Sequence, residues 1–351
     1  MAVTTAAETS APTGTPPGTP GRRRVAVGLV VLLVAVAGSL LLSLSVGSRA
    51  LDVATVWRVL FAPDGSDAAV IVHDLRLPRT ALGLLAGMAL GTAGALMQGH
   101  TRNPLADPGL LGVTNGAAFA VVIAIYVFSV TDIQGYVWFA LAGAAVASAV
   151  VFAIGAAGGR GPSPLALVLA GTAVSALLAS FTTALVIRDQ QTLDVYRFWV
   201  VGSIAGRDEA IAVLIAPFII VGLIIAFAHA PSLNVLSLGE DVARALGQHV
   251  GRTRVIGLTA VMLLTGAATA ACGPIWFVGL IVPHVARHFT GPDHRWLVPY
   301  SALLGAILLL CSDVVGRVVA RPGELQVGIV LALIGGPFFI ALVRRRRLVT
   351  L

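Results

Sequence analysis

The chain has 351 residues, of which 57% are hydrophobic and only 11% charged, with a mean hydropathy of +0.94. A soluble domain carries roughly 25% charged residues, so the composition excludes a soluble globule and points to a chain embedded in lipid. The net charge is +7 and every one of the 23 basic residues is arginine, gathered in short loops between apolar runs; that is a pattern of membrane topology and not of a nucleic-acid surface.

Residues 1–21 are rich in Thr, Ala, Pro and Gly and read as a disordered tail ahead of a membrane domain over 22–351. Arg22, Arg23 and Arg24 then precede an apolar run from Val25 to Val46. It exceeds the about 7–15 residues of a signal peptide's apolar region, and no A-x-A site follows, so it reads as a retained first span. Further apolar segments fall near 80–98, 109–130, 136–157, 164–187, 210–229, 253–272, 274–289, 297–319 and 326–343. Each approaches the ~20 residues a helix needs to cross the hydrocarbon core, except 274–289, which is short. The expectation is an all-α polytopic protein of about ten spans with both termini on one side.

Arginine distribution chooses the side. A cytoplasmic N-terminus puts Arg22–Arg24, Arg102, Arg160, Arg244, Arg252, Arg254, Arg287, Arg295 and Arg344–Arg347 inside. The smaller set Arg49, Arg58, Arg76, Arg79, Arg188, Arg197, Arg207, Arg317 and Arg321 then lies outside with most of the acids, as the positive-inside rule requires. Within the second span, Gly83, Gly87, Gly91 and Gly94 form one helical stripe, which suits close helix packing in lipid. Cys272 and Cys311 lie in apolar spans and read as small packing residues.

Three segments outside the spans stand out. Leu75-Arg76-Leu77-Pro78-Arg79-Thr80 opens the second span, with Pro78 suited to a first helical turn; its arginines either anchor the helix end or meet a partner. Thr101 to Pro108 is a turn stiffened by two prolines, in which Asn103 and Asp107 can cap nearby backbone; it is a rigid connector or a constriction on a pathway. The stretch 231–253 reads as cytoplasmic. Within it a helix begins around Ser237-Leu238-Gly239-Glu240-Asp241, presents Val242, Ala245 and Leu246, and ends at Gly247. Such a face must lie on lipid or dock on a soluble partner.

His284 and His288 share a helix face, but no carboxylate lies between them as in H-E-x-x-H, so neither a metal site nor a catalytic centre is expected. Asp313 and Arg317, also four apart, form an internal ion pair or reach an outside partner. No G-x-x-x-x-G-K-[ST] phosphate loop occurs, so a pump built on this chain must borrow its ATPase.

Three further runs carry a specific resemblance: Leu75 to Arg79, Gly94 to Gln98, and Arg102-Asn103-Pro104-Leu105-Ala106-Asp107-Pro108-Gly109-Leu110-Leu111-Gly112. The second half adds Leu236 to Gly239, Gly273 to Leu280, Pro283-His284, Arg287, Gly291 to Arg295, Asp313, Arg317, Pro322-Gly323-Glu324-Leu325 and Gly335-Gly336-Pro337. In this order they resemble the FecCD-type permeases of iron-siderophore and cobalamin uptake over roughly 25–347. The R-N-P-L-A-D-P-G-L-L-G-V and P-G-E-L versions are similar to those of ferric enterobactin permeases, although many relatives have Pro where this chain has Gln326.

The resemblance implies a type II ABC-importer permease that is not itself an enzyme and carries no cofactor. It implies a second permease subunit (identical or paralogous), a cytoplasmic ATPase dimer, an extracytoplasmic siderophore-binding protein and a ferric siderophore cargo. By the same resemblance Arg76, Arg79 and Arg317 dock the binding protein, and Asn103, Pro104 and Leu105 form the cytoplasmic gate. Leu236, Ser237, Leu238, Gly239, Glu240, Asp241, Ala245, Leu246 and Gly247 couple to the ATPase. Cobalamin or haem as cargo, or an ion-coupled secondary transporter, are the rival readings; the last would need a midplane acid, and Asp313 lies near a span end.

Overall fold

A computed structural model describes residues 21–157 and 163–344. The expected disordered tail, apart from Gly21, lies outside the described residues, as do Arg160 and Arg345–Arg347. Fourteen α-helices follow in order among the described residues: α1 Arg22–Ser45, α2 Val53–Phe61, α3 Asp67–Val70, α4 Leu77–Thr101, α5 Val113–Phe128, α6 Ile133–Ala156 and α7 Pro164–Arg188. The second half comprises α8 Gln190–Val200, α9 Glu209–Ser237, α10 Glu240–Ala245, α11 Val250–Cys272, α12 Val278–Thr290, α13 His294–Val319 and α14 Val327–Arg344. A π-helical stretch, Ile71–Arg76, joins α3 to α4 without a break, and a 3-10 turn, Pro108–Leu111, precedes α5.

Ten of these helices match the ten expected apolar segments. Eight are long and apolar enough to cross a membrane, while α5 has 16 residues and α12 only 13. At 1.5 Å per residue, α12 spans about 20 Å of a roughly 30 Å core. Its shortness has a local cause: Gly273 to Phe277 is irregular, with Phe277 in the left-handed region at φ 71°.

One boundary differs from expectation. The chain does not leave the helix near Pro231; α9 continues through Pro217 and Pro231 to Ser237. Proline is tolerated inside long membrane helices because neighbouring groups re-satisfy the freed carbonyl. The connecting segment is therefore shorter, and Leu236 and Ser237 belong to the end of α9.

The bundle is built around α4 and α11, whose spans are 78% and 72% buried, against 17% for α1 and 22% for α7. The glycine stripe of α4 explains how α13 and α12 approach it. A Cβ on Gly87 would stand 2.5 Å from Gly305 O, and one on Gly305 would stand 2.2 Å from Gly87 O. Gly94 meets Gly279 in the same way, at 2.0 Å. No side chain larger than hydrogen fits these backbone contacts, and they substitute for a hydrophobic drive that lipid does not supply.

Candidate functional site: an arginine cluster at one end and two loops at the other

Arg76 closes the π-helical stretch and Arg79 lies in the first turn of α4, one residue after Pro78. Asp313 and Arg317 come from the last turns of α13, where four-residue spacing stacks them on one face. The fold brings these elements together. Arg79 donates from Nε and Nη2 to Asp313, at 3.0 and 2.8 Å, and from Nη1 to Glu324 Oε2 at 2.7 Å. Arg317 Nε lies 3.1 Å from Asp313 Oδ2, an ion pair without hydrogen-bond geometry. Its Nη1 and Nη2 donate to Ser43 O and Ser43 Oγ, both at 3.0 Å, and Ser43 Oγ lies 2.7 Å from Thr80 Oγ1.

Arg76 is held differently, donating to Leu44 O at 2.6 Å and to Arg49 O, with no carboxylate among its hydrogen-bond partners. Arg76, Arg79 and Arg317 are 5%, 9% and 2% exposed, so none stands free on the surface. Two carboxylates thus face three arginines. Beside them a pocket of about 350 Å³ is lined by Arg79, Phe198, Ser203, Arg207, Glu324 and Gln326, among others.

At the opposite end of α4, Arg102 takes a left-handed conformation, φ 49°, and turns the chain out of the helix. Asn103 Oδ1 accepts from Leu105 N at 3.0 Å, and Asp107 Oδ1 accepts from Gly109 N at 2.8 Å. Both side chains cap backbone, as expected for this turn. Burial pushes the Asp107 carboxyl above its ordinary value, opposed by the Gly109 hydrogen bond. Asn103 is exposed, while Pro104 and Leu105 are half-buried.

The residue ahead of α10 comes near this turn: Arg102 Nη1 lies 3.9 Å from the place a Cβ would occupy on Gly239. Gly239, at φ 108°, precedes the first turn, which carries Glu240 and Asp241. The helix starts within the expected Ser237–Asp241 segment, at Glu240, because Leu238 still serves as the cap of α9. It ends in a Schellman arrangement in which Gly247 N donates to Arg244 O and Gln248 N to Ala243 O, each at 2.9 Å. Ala243 is buried, whereas Leu238, Val242, Ala245 and Leu246 form an exposed apolar face. Glu240 is anchored inward by ion pairs to Arg244, at 3.2 Å, and to Arg254 of α11. Asp241 is fully exposed and pairs with Arg244 at 3.2 Å.

His284 packs against Phe338 and His288 against Phe289. Among the described residues no group of three His, Cys, Asp or Glu is placed to hold a metal ion. Sequence reasoning missed two features. Arg207 joins the pocket beside Arg79, and a buried histidine group stacks His100 on His229 at 5.2 Å with His294 bonded to Asn234. Only the shared burial of distant segments reveals them.

Comparison with known proteins agrees with this architecture. The model of the FecCD transport family matches residues 31–345. The chain is 46% identical over 325 residues to the ferric enterobactin transport system permease protein FepD of Escherichia coli (strain K12), covering 92% of this chain and 96% of that one. It is 44% identical to the iron(3+)-hydroxamate import system permease protein FhuB of Bacillus subtilis (strain 168), over 87% of this chain and 80% of that one. With the cobalamin import system permease protein BtuC of Halobacterium salinarum it shares 42%, over 80% and 74%. A solved structure described as an inward-facing conformation of a metal-chelate type ABC transporter superposes with a TM-score of 0.80 at 29% identity, over 92% of this chain and 99% of that one. The chain belongs to the FecCD transport family and is the multi-pass permease subunit of an ABC importer.

Proposed function

We propose that this permease carries a ferric siderophore of the catecholate, enterobactin-like class inward across the bacterial cytoplasmic membrane. The observation that carries this reading is the 46% identity to the ferric enterobactin permease over nearly the whole of both chains. The P-G-E-L segment around Glu324 supports it. A cobalamin cargo is the second reading, favoured by the 42% identity to the cobalamin permease.

Both termini face the cytoplasm in this reading, so the arginine cluster faces outward and α10 inward. Two permease subunits, identical or paralogous, enclose one path. An extracytoplasmic binding protein delivers the chelate to the end that carries Arg76, Arg79 and Arg317. Charged groups there gain orientation and association rate more than raw affinity. A cytoplasmic ATPase dimer seats the exposed apolar face of α10. Closure of that dimer on nucleotide moves α10 as a rigid body, and the approach of Arg102 to Gly239, just ahead of the Asn103–Leu105 turn, carries the motion to the inner gate. Domain 22–351 acts as one transport unit, with 231–253 spanning the end of α9 and the coupling segment.

Growth of a deletion strain on single iron chelates tests the cargo. Loss of growth on a ferric catecholate, restored by this chain, is the expected result. Loss only of cobalamin-dependent growth contradicts it.

A further inference from the structure

Arg79 offers two edges. The inner edge, Nε and Nη2, is committed to the buried Asp313, and the outer nitrogen, Nη1, meets Glu324. Glu324 differs from Asp313 in exposure: its side chain is 35% exposed against 1%. It lies in the Ala320–Gln326 connection before α14 and borders the pocket of about 350 Å³. Water takes roughly 30 Å³ of liquid volume, so the pocket has room for an incoming side chain. Arg207 lines the same pocket with its guanidinium beside Tyr136, and its Nε is buried without a hydrogen-bond partner. The remaining polar lining, Ser203 and Gln326, is uncharged.

The charge balance has a consequence. Arg76, Arg79 and Arg317 share Asp313 and Glu324, and Arg207 lines the adjoining pocket, so the region stays cationic even with both acids in place. Replacing Glu324 on Arg79 by another carboxylate exchanges like for like. It leaves the Asp313 pairing intact and requires no new buried charge, the step that makes buried ion pairs costly.

The geometry points to a carboxylate-exchange pocket: Glu324 holds the outer edge of Arg79 in the free permease, and an acidic side chain of the extracytoplasmic binding protein displaces it, with Arg207 as the second cation. This rests on the docking reading above and extends it to residues outside the Arg76, Arg79 and Arg317 set. Arg76 and Arg317 act as positioning residues, since their guanidinium groups are spent on Leu44, Arg49, Ser43 and Asp313.

The test uses the whole transporter, permease with its ATPase, in lipid nanodiscs, titrated with the binding protein of the same system loaded with ferric chelate. E324Q removes the competitor and tightens binding about fivefold, while R207Q weakens it about tenfold and R207K recovers most of the loss. Q326E breaks no ion pair and adds a second resident carboxylate, so it weakens binding whether or not E324Q folds well. Unchanged or weaker binding by a well-folded E324Q, or no effect of Q326E, overturns the exchange pocket. The docking reading stands or falls separately on R79Q: a large loss keeps it, and unchanged binding by both R79Q and R207Q removes it.

Discussion

Asp313 receives both Arg79, from a helix 234 residues earlier, and Arg317, four residues later on its own helix. One buried carboxylate thereby fixes the end of α4 against the end of α13, on the same pair of helices whose glycines meet backbone to backbone. Removing one partner from such a buried group leaves uncompensated charge, at a cost of about 3–5 kcal/mol. D313N is therefore expected to lower thermal stability in detergent markedly, and an unshifted melting curve would show that the cluster does not hold these helices.

The glycine contact gives a second expectation. G305A places a methyl group 2.2 Å from Gly87 O, where backbone must yield, and overpacking of this kind costs about 1–3 kcal/mol. Gly336 has nothing within 4 Å of its Cβ position, so G336A should melt like the parent. Equal melting of the two variants would contradict the packing account.

Val242 and Leu246 lie four apart on the exposed face of α10, while Glu240 is tied to α11. V242E with L246E should leave the permease folded and reduce ATP-driven uptake about tenfold or more, as loss of a central apolar contact does. E240Q should instead loosen α10 and lower stability as well. Normal uptake by the double variant would remove α10 from the coupling role.

Asp107 supplies a pH-dependent expectation. Its carboxyl is raised from 3.8 by burial, so the folded state retains the proton more readily than the unfolded chain. Its contribution is most favourable below pH 3.8 and is lost as pH rises through the raised value. D107N can still accept from Gly109 N and carries no charge. Its stability relative to the parent should therefore increase from pH 4 upward and level off once Asp107 is ionised; a pH-independent difference would refute the burial effect.

Apolar runs made these ten helices legible, eight of them at membrane-crossing length, because lipid demands internal backbone hydrogen bonding. The Asn103 and Asp107 caps and the Gly247 helix end were equally legible, since their partners lie within a few residues. The short helix α8 was not, because its polar composition, with Asp189 as cap, reads as a loop. Nor was the run of α9 through Pro231, where packing overrides a local breaker. Of the ion pairs in the arginine cluster only Asp313–Arg317 follows helical spacing. Its links to Arg79, Ser43 and Glu324 arise from tertiary packing that no local pattern encodes.

ATP-coupled import of a ferric catecholate can be measured outright. The direct measurement is uptake of radiolabelled ferric enterobactin into vesicles holding this permease, its ATPase and the external binding protein. Uptake is expected to require ATP, the ATPase and the binding protein together. Uptake that persists without ATP, or that follows an imposed ion gradient instead, would contradict it.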